Sequence, residues 1–131
     1  MADMEKITIN LTPVDLGRID ILVEEGFFQN RSDLIRAAIR KELDAHEDTL
    51  AAKAERHKDH RWVVGVLHLA RRELEEMATS TTKQHLSGIG RLSIAQDVPA
   101  SLVDWVFSQV HWYGTINASA PVKAVIRRKH G

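Results

Sequence analysis

The sequence lacks cysteine altogether, and it has no long hydrophobic run. Without cysteine the chain can form no disulfide, no thiolate metal site and no cysteine nucleophile, as is usual in the cytoplasm. No segment approaches the length of about 20 apolar residues that a membrane-spanning helix needs, and the N-terminus shows no signal-peptide pattern. We therefore expect a cytoplasmic protein that has no membrane partner.

Net charge is lacking as well, although the charges are unevenly distributed along the chain. Residues 1–49 contain six Lys and Arg against eleven Asp and Glu, whereas residues 50–131 contain twelve against seven. The first part is therefore acidic and the second basic. With 44% hydrophobic and 27% charged residues in a length of 131, the composition is typical of one globular domain or two small ones.

Signatures of catalysis are missing too. The sequence contains no glycine-rich phosphate loop, no nucleophile elbow and no HExxH zinc motif. No nucleophile–base pair and no pair of carboxylates stands out as a catalytic arrangement. We therefore expect a protein that is not an enzyme and that needs no cofactor.

The stretch Glu5–Leu11 alternates strictly between polar and apolar residues, which predicts a β-strand. Its two faces are Ile7, Ile9 and Leu11 on one side and Lys6, Thr8 and Asn10 on the other. A single strand is not stable alone, and only helical patterns follow it before residue 60. We therefore expect it to pair with the same strand of a second copy, giving a ribbon with an apolar underside.

Two helices are predicted after this strand. The first begins at Thr12-Pro13, where threonine can cap and proline suits the first turn, and it ends before Gly26. The second begins at Asn30, which can act as a cap answered by Asp33 three residues later. Each helix carries an apolar stripe at helical spacing. The order over residues 5–45 is therefore strand, helix, turn, helix.

The segment KITINLTPVDLGRIDILVEEGFFQNRSDLIRAAIRKEL resembles the ribbon-helix-helix superfamily of the Arc, MetJ and CopG type. The resemblance rests on the alternating strand, the Leu-Thr-Pro step, the glycine turn and the Asn-Arg-Ser-Asp start of the second helix. It covers residues 5–45, about a third of the chain. It implies an intertwined homodimer whose paired strands enter the major groove of double-stranded DNA.

The same resemblance implies which residues contact DNA. Base contacts are expected from Lys6, Thr8 and Asn10, whose side chains can bond base edges. Phosphate contacts are expected from Asn30, Arg31 and Ser32, at the start of the second helix. A plainer alternative makes the first three the solvated side of an edge strand, and the cap residues can bind phosphate and cap at once. The acidic first part weakens long-range attraction to DNA.

Residues 47–61 are charged and rich in alanine, which predicts a helical linker or a continuation of the second helix. His57 and His60 are three residues apart and could hold a metal on one helix face, although a solvated linker is the plainer interpretation. A metal-responsive regulator using these histidines, or His68 and His85, is one alternative function.

From Trp62 onward, apolar β-branched stretches alternate with helical patterns. Strands are expected at 62–69, 88–95 and 110–118, and helices at 71–78, 99–107 and 121–129. Gly65, Gly90 and Gly114 each open a Gly-x-apolar-x-apolar motif, so a repeat of strand-helix units is an alternative to chance similarity. In such a stack the end strands are open and could meet another subunit.

Together these patterns predict an α+β protein: a ribbon-helix-helix domain at 1–46, a linker at 47–61 and a βαβαβα domain at 62–131. The expected function is a sequence-specific transcriptional regulator, a repressor of prokaryotic type. Its partners are DNA and a second copy, with a tetramer or larger assembly formed through the C-terminal domain as a further option. The alternative is an antitoxin or partition-type interaction protein that regulates its own promoter.

Overall fold

The computed structural model describes residues 4–56 and 61–130, and the chain divides into two compact units, Met1–Asp48 and Thr49–Gly131. The elements are α1 (Pro13–Glu24), α2 (Arg31–Ala45), α3 (Glu47–Arg56), β1 (Arg61–Leu69), α4 (Arg71–Ala78), β2 (Gln84–Ile94), α5 (Ala100–Val106), β3 (Phe107–Asn117) and α6 (Ala120–Lys129). Six helices and a three-stranded sheet within the described ranges confirm the α+β class. In the described part of the chain, no helix is long and apolar enough to cross a membrane.

The caps of the first unit are those that the sequence predicts. Thr12 Oγ1 accepts a hydrogen bond from the backbone N–H of Asp15 (3.2 Å), and proline occupies the first turn of α1. Gly26 follows the helix with a φ of +88°, a left-handed conformation that favours glycine. Asn30 Oδ1 in turn accepts from the N–H of Asp33 (2.8 Å) and so fixes the start of α2.

Residues 4–11 form no strand within one chain. They are exposed, and no described strand of the same chain forms a ladder with them. Since the alternating segment was expected to pair only with a second copy, the paired ribbon stays a prediction.

The second unit contains a parallel sheet in the order β1-β2-β3, with α4, α5 and α6 packed on one face. Its largest fully buried side chains come from both layers: Phe107, Leu74, Leu92, Ile126, Val103, Val110 and Val122. β2 begins at Gln84, four residues before the predicted start at Gly88. The earlier part of this strand includes Ser87, a polar residue that is completely buried.

The three glycines of the suspected repeat form one row across the sheet. Gly65 pairs with Gly90, and Gly90 pairs with Gly114, in a register without interruption at these positions. Their φ angles are +122°, +131° and +124°, all in the region that side chains rarely adopt. The three glycine motifs therefore occupy equivalent positions with the same backbone conformation in neighbouring strands, while a repeat of whole strand-helix units stays a prediction.

Candidate nucleic-acid interface

The polar face of the N-terminal segment is open. Lys6, Thr8 and Asn10 are all exposed, and the intervening Ile7 and Ile9 are 73% and 53% exposed. If residues 5–11 pair as a β-strand, the alternation would place the first three on one side and the isoleucines on the other. The first three carry an ammonium, a hydroxyl and an amide, which are groups that can bond base edges.

The start of α2 gathers the residues expected to contact phosphate. Asn30 and Ser32 are exposed, and Arg31 is the first residue of the helix. The amide oxygen of Asn30 caps the N–H of Asp33, and the Asp33 carboxylate accepts from the N–H of Gln29 (3.1 Å). The first turn of a helix of this length carries a partial positive charge and N–H groups without helical partners, which suits an anion.

Arg31 has a partner that sequence reasoning did not find. Its Nε and Nη2 donate to the two carboxylate oxygens of Asp20 on α1, at 2.8 and 2.9 Å. The bond from Arg31 holds the pKa of Asp20 below its usual value, and the carboxylate raises the pKa of Arg31. The guanidinium is therefore held beside α1 as a cation, with part of its donor set outside this bidentate pair.

The first unit buries no side chain of its own helices. Neither α1 nor α2 has a buried residue. Its exposed large apolar side chains are Met4, Ile7, Ile9, Leu11, Val14, Ile21, Leu22, Phe27, Ile39 and Leu43. So much uncovered apolar surface on so short a unit is characteristic of a protein interface.

The histidines of the second unit mostly contact one another or a hydroxyl. His68 Nδ1 lies 3.2 Å from Ser93 Oγ, and His85 Nε2 lies 3.1 Å from His111 Nδ1. The ring of His130 packs edge-on against the ring of His111. In residues 4–56 and 61–130, no group of three or more His, Cys, Asp or Glu is placed to hold a metal. The expected pair His57 and His60 lies outside the described residues.

The chain is similar over most of its length to a known group of regulators. A family model described as the Ribbon-Helix-Helix transcriptional regulator family matches residues 2–123. The transcriptional regulator CdrS of Halobacterium salinarum is 37% identical over 51 residues, which make up 39% of this chain and 93% of that regulator. No solved structure matches the chain. The match to the family model extends through all three strands of the second unit.

Proposed function

The chain belongs to the ribbon-helix-helix transcriptional regulator family, and from this premise we propose that it is a repressor that reads DNA with a dimeric ribbon. The family consists of transcriptional regulators and is not a class of enzymes. In the proposed complex two copies pair their N-terminal segments, and the paired strands enter the major groove. The cytoplasm is the proposed location, where the chain would meet the chromosome.

The observation that carries this proposal is that no residue of α1 or α2 is fully buried. Leu16, Ile19 and Leu34 are only half-buried, and many large apolar side chains of the unit are exposed. A second copy that pairs at residues 5–11 turns the Ile7 and Ile9 face towards the apolar sides of α1 and α2. The same pairing leaves Lys6, Thr8 and Asn10 on the opposite side, as direct base contact requires.

Each of these three side chains has a distinct base-reading chemistry. The Lys6 ammonium can donate to O6 and N7 of guanine, and the Asn10 amide can bond adenine at two atoms. Thr8 offers a hydroxyl to a base edge or a methyl to thymine. Each well-formed contact contributes about 1–3 kcal/mol of discrimination against the wrong base.

Phosphate contacts position the ribbon. The N-terminal turn of α2, with Asn30, Arg31 and Ser32, supports one phosphate of the backbone. Asp20 keeps the Arg31 guanidinium at this turn through the bonds of 2.8 and 2.9 Å. An acidic unit that binds DNA through a few fixed cations gains little from long-range attraction, so affinity depends on correct contacts.

The second unit supports a regulator more than an antitoxin. The antitoxin alternative expects a C-terminal segment that is disordered until a toxin binds. Residues 61–130 instead form a sheet and helices around buried side chains such as Leu74, Val103 and Val122. We propose that this unit mediates assembly beyond two copies.

The decisive experiment is selection of bound sequences from a random DNA pool, followed by affinity measurements with variants. Asn10→Ala is expected to lose about 1–3 kcal/mol of discrimination at one base position per half-site. Arg31→Ala is expected to weaken binding to all sequences alike and to flatten the salt dependence. Lys41→Ala, which removes an exposed cation outside the proposed contacts, serves as the control.

Two results would count against these assignments. If Asn10→Ala lowered the affinity for selected DNA and for unrelated DNA equally, Asn10 would not be a base-contacting residue. Failure of the wild-type protein to enrich any sequence would remove the proposed function itself.

A further inference from the structure

The outer edge of β1 has few of the features that normally protect an edge strand, since Arg61 at its first position is its one Lys, Arg, Asp or Glu residue. β1 is the first strand of the sheet, and no described strand pairs with its outer side. Residues 62–69 contain no charged residue and no proline, and Val64 and Val66 are 73% and 59% exposed. Natural edge strands usually carry lysine, proline or a bulge that prevents pairing. This edge therefore has the composition of a strand that is paired on both sides.

The row formed by Gly65, Gly90 and Gly114 also indicates that a strand is missing beside β1. At Gly90, the position that a Cβ would occupy is taken by the carbonyl oxygen of Gly65, and at Gly114 by the carbonyl oxygen of Gly90. Gly65 has the same positive φ, yet no described atom lies within 4 Å of its corresponding position. Its backbone therefore has the conformation of the interior glycines, with the neighbouring strand missing.

The sequence of β1 indicates which strand fills this position. Gly65 is the middle residue of Arg61–Leu69, and the residues around it are similar in both directions. Val64 mirrors Val66, and Val63 mirrors Leu67. If two β1 strands run antiparallel about Gly65, valine meets valine on the open face of the sheet, and the larger apolar side chains meet on the helix-covered face.

We infer that two copies of this chain join their sheets through antiparallel pairing of their β1 strands, centred on Gly65. The pairing extends the parallel three-stranded sheets into one six-stranded sheet with the glycine row running across it. It has twofold symmetry and closes with two copies, as most stable homo-oligomeric contacts do. The inference gives a surface to the assembly role proposed above for the second unit, and it rests on the proposed function only in that respect.

A head-to-tail arrangement is the main competitor. A β3 strand of another copy placed beside β1 would repeat the relation between Gly65 and Gly90, with Thr115 of that copy next to Val66. Such a contact leaves an open strand at each end and continues into a ring or fibre. The similarity of β1 read in either direction about Gly65 favours the closed pair.

The natural absence of cysteine allows a direct test by disulfide formation in the full-length chain. Val64→Cys and Val66→Cys chains are produced separately and together, and then oxidised. Directly opposite residues have Cβ atoms about 4.5–5.5 Å apart, whereas diagonal ones are about 7–8 Å apart, and a disulfide needs the shorter separation. Linked pairs are therefore expected in the co-produced sample and not in either variant alone.

Two results of the disulfide experiment would overturn the inference. A co-produced sample without linked pairs overturns the inference, and so does linkage between Val66→Cys and Thr115→Cys chains, which reports head-to-tail packing.

A charged substitution gives a second measurement without cysteine. Val64→Lys removes both valine pairs across the joined strands and introduces lysine, a residue that protects natural edge strands from pairing, so it is expected to raise the dissociation constant for self-association about tenfold. Gln109→Lys adds the same charge at an exposed position of β3 and is expected to leave that constant unchanged. A larger effect from Gln109→Lys than from Val64→Lys would contradict the inference.

The outcome can be separated from that of the proposed function because both measurements are made without DNA. If the protein selects an operator but forms no linked pairs, the proposed function stands and the β1 interface is rejected. If the protein forms linked pairs but selects no DNA, the β1 interface stands and the proposed function is rejected.

Discussion

At the scale of single residues, Gly88 is constrained by a side chain from the neighbouring strand. A Cβ at this position would lie 2.5 Å from the indole ring of Trp112 and would also meet the backbone carbonyl of Val63. The indole cannot simply move away, because its Nε1 donates to the carbonyl of Gly90 (3.0 Å). The strand therefore tolerates no side chain at residue 88 without loss of packing.

We accordingly expect Gly88→Ala to lower the free energy of unfolding by about 1–3 kcal/mol, the usual cost of overpacking. Gly17→Ala is the matched control, because nothing lies within 4 Å of its Cβ and alanine favours the interior of α1 by up to about 1 kcal/mol. Urea unfolding monitored by circular dichroism measures both. An unchanged stability for Gly88→Ala would mean that the indole has another place to pack.

At the scale of elements, α5 and α6 are joined by a cluster of charges around Asp104. Its Oδ1 accepts from Lys129 Nζ at 2.9 Å and from Arg128 Nη2 at 2.8 Å. The bond from Lys129, supported by the charges of both cations, holds the pKa of Asp104 below its usual value. A carboxyl group with a lowered pKa in the folded state stabilises that state most when it is ionised.

The stabilisation is therefore complete above the unfolded pKa of about 4 and is lost as the pH falls through the lower folded pKa. We expect the difference in unfolding free energy between wild type and Asp104→Asn to be constant from pH 5 to 8 and to shrink below about pH 4. Thermal melts across this range measure it, with Glu73→Gln as a control at an exposed position of α4. A difference that persists unchanged at pH 3 would show that charge at Asp104 does not stabilise the contact.

The elements also show what the sequence can and cannot predict. The starts of α1 and α2 follow from their caps, Thr12 and Asn30, because capping is a local interaction. The early start of β2 was missed because the fully buried Ser87 interrupts the apolar pattern on which the prediction relied. The pair Asp20 and Arg31 joins two helices and leaves no periodic signal, so it needed the folded chain.

At the scale of the whole molecule, the two units differ in how they are stabilised. The second unit has its own buried core, whereas α1 and α2 of the first contain no fully buried residue. Trp62, Trp105 and Trp112 all lie in the second unit, so tryptophan fluorescence reports on it, while circular dichroism also reports on α1 and α2. The two signals can therefore distinguish the unfolding of the first unit from that of the second.

We expect dilution to lower the temperature at which helical structure is lost, because pairing stabilises the first unit by an amount that rises with the logarithm of the free partner concentration. The fluorescence transition is expected to shift less, since the core of the second unit lies within one chain. Melting curves at several protein concentrations measure both transitions. A helical transition that does not depend on concentration would show that the first unit folds alone.

The proposed pairing of two first units also has a genetic consequence. In the proposed dimer, each ribbon takes one strand from each of two chains. A chain in which Asn10 is replaced can still pair, and it therefore forms dimers with normal chains. In a cell that makes both, most assembled pairs then contain at least one defective half. Loss of a base-reading side chain should therefore act dominantly over the intact allele, whereas loss of the apolar face should be recessive.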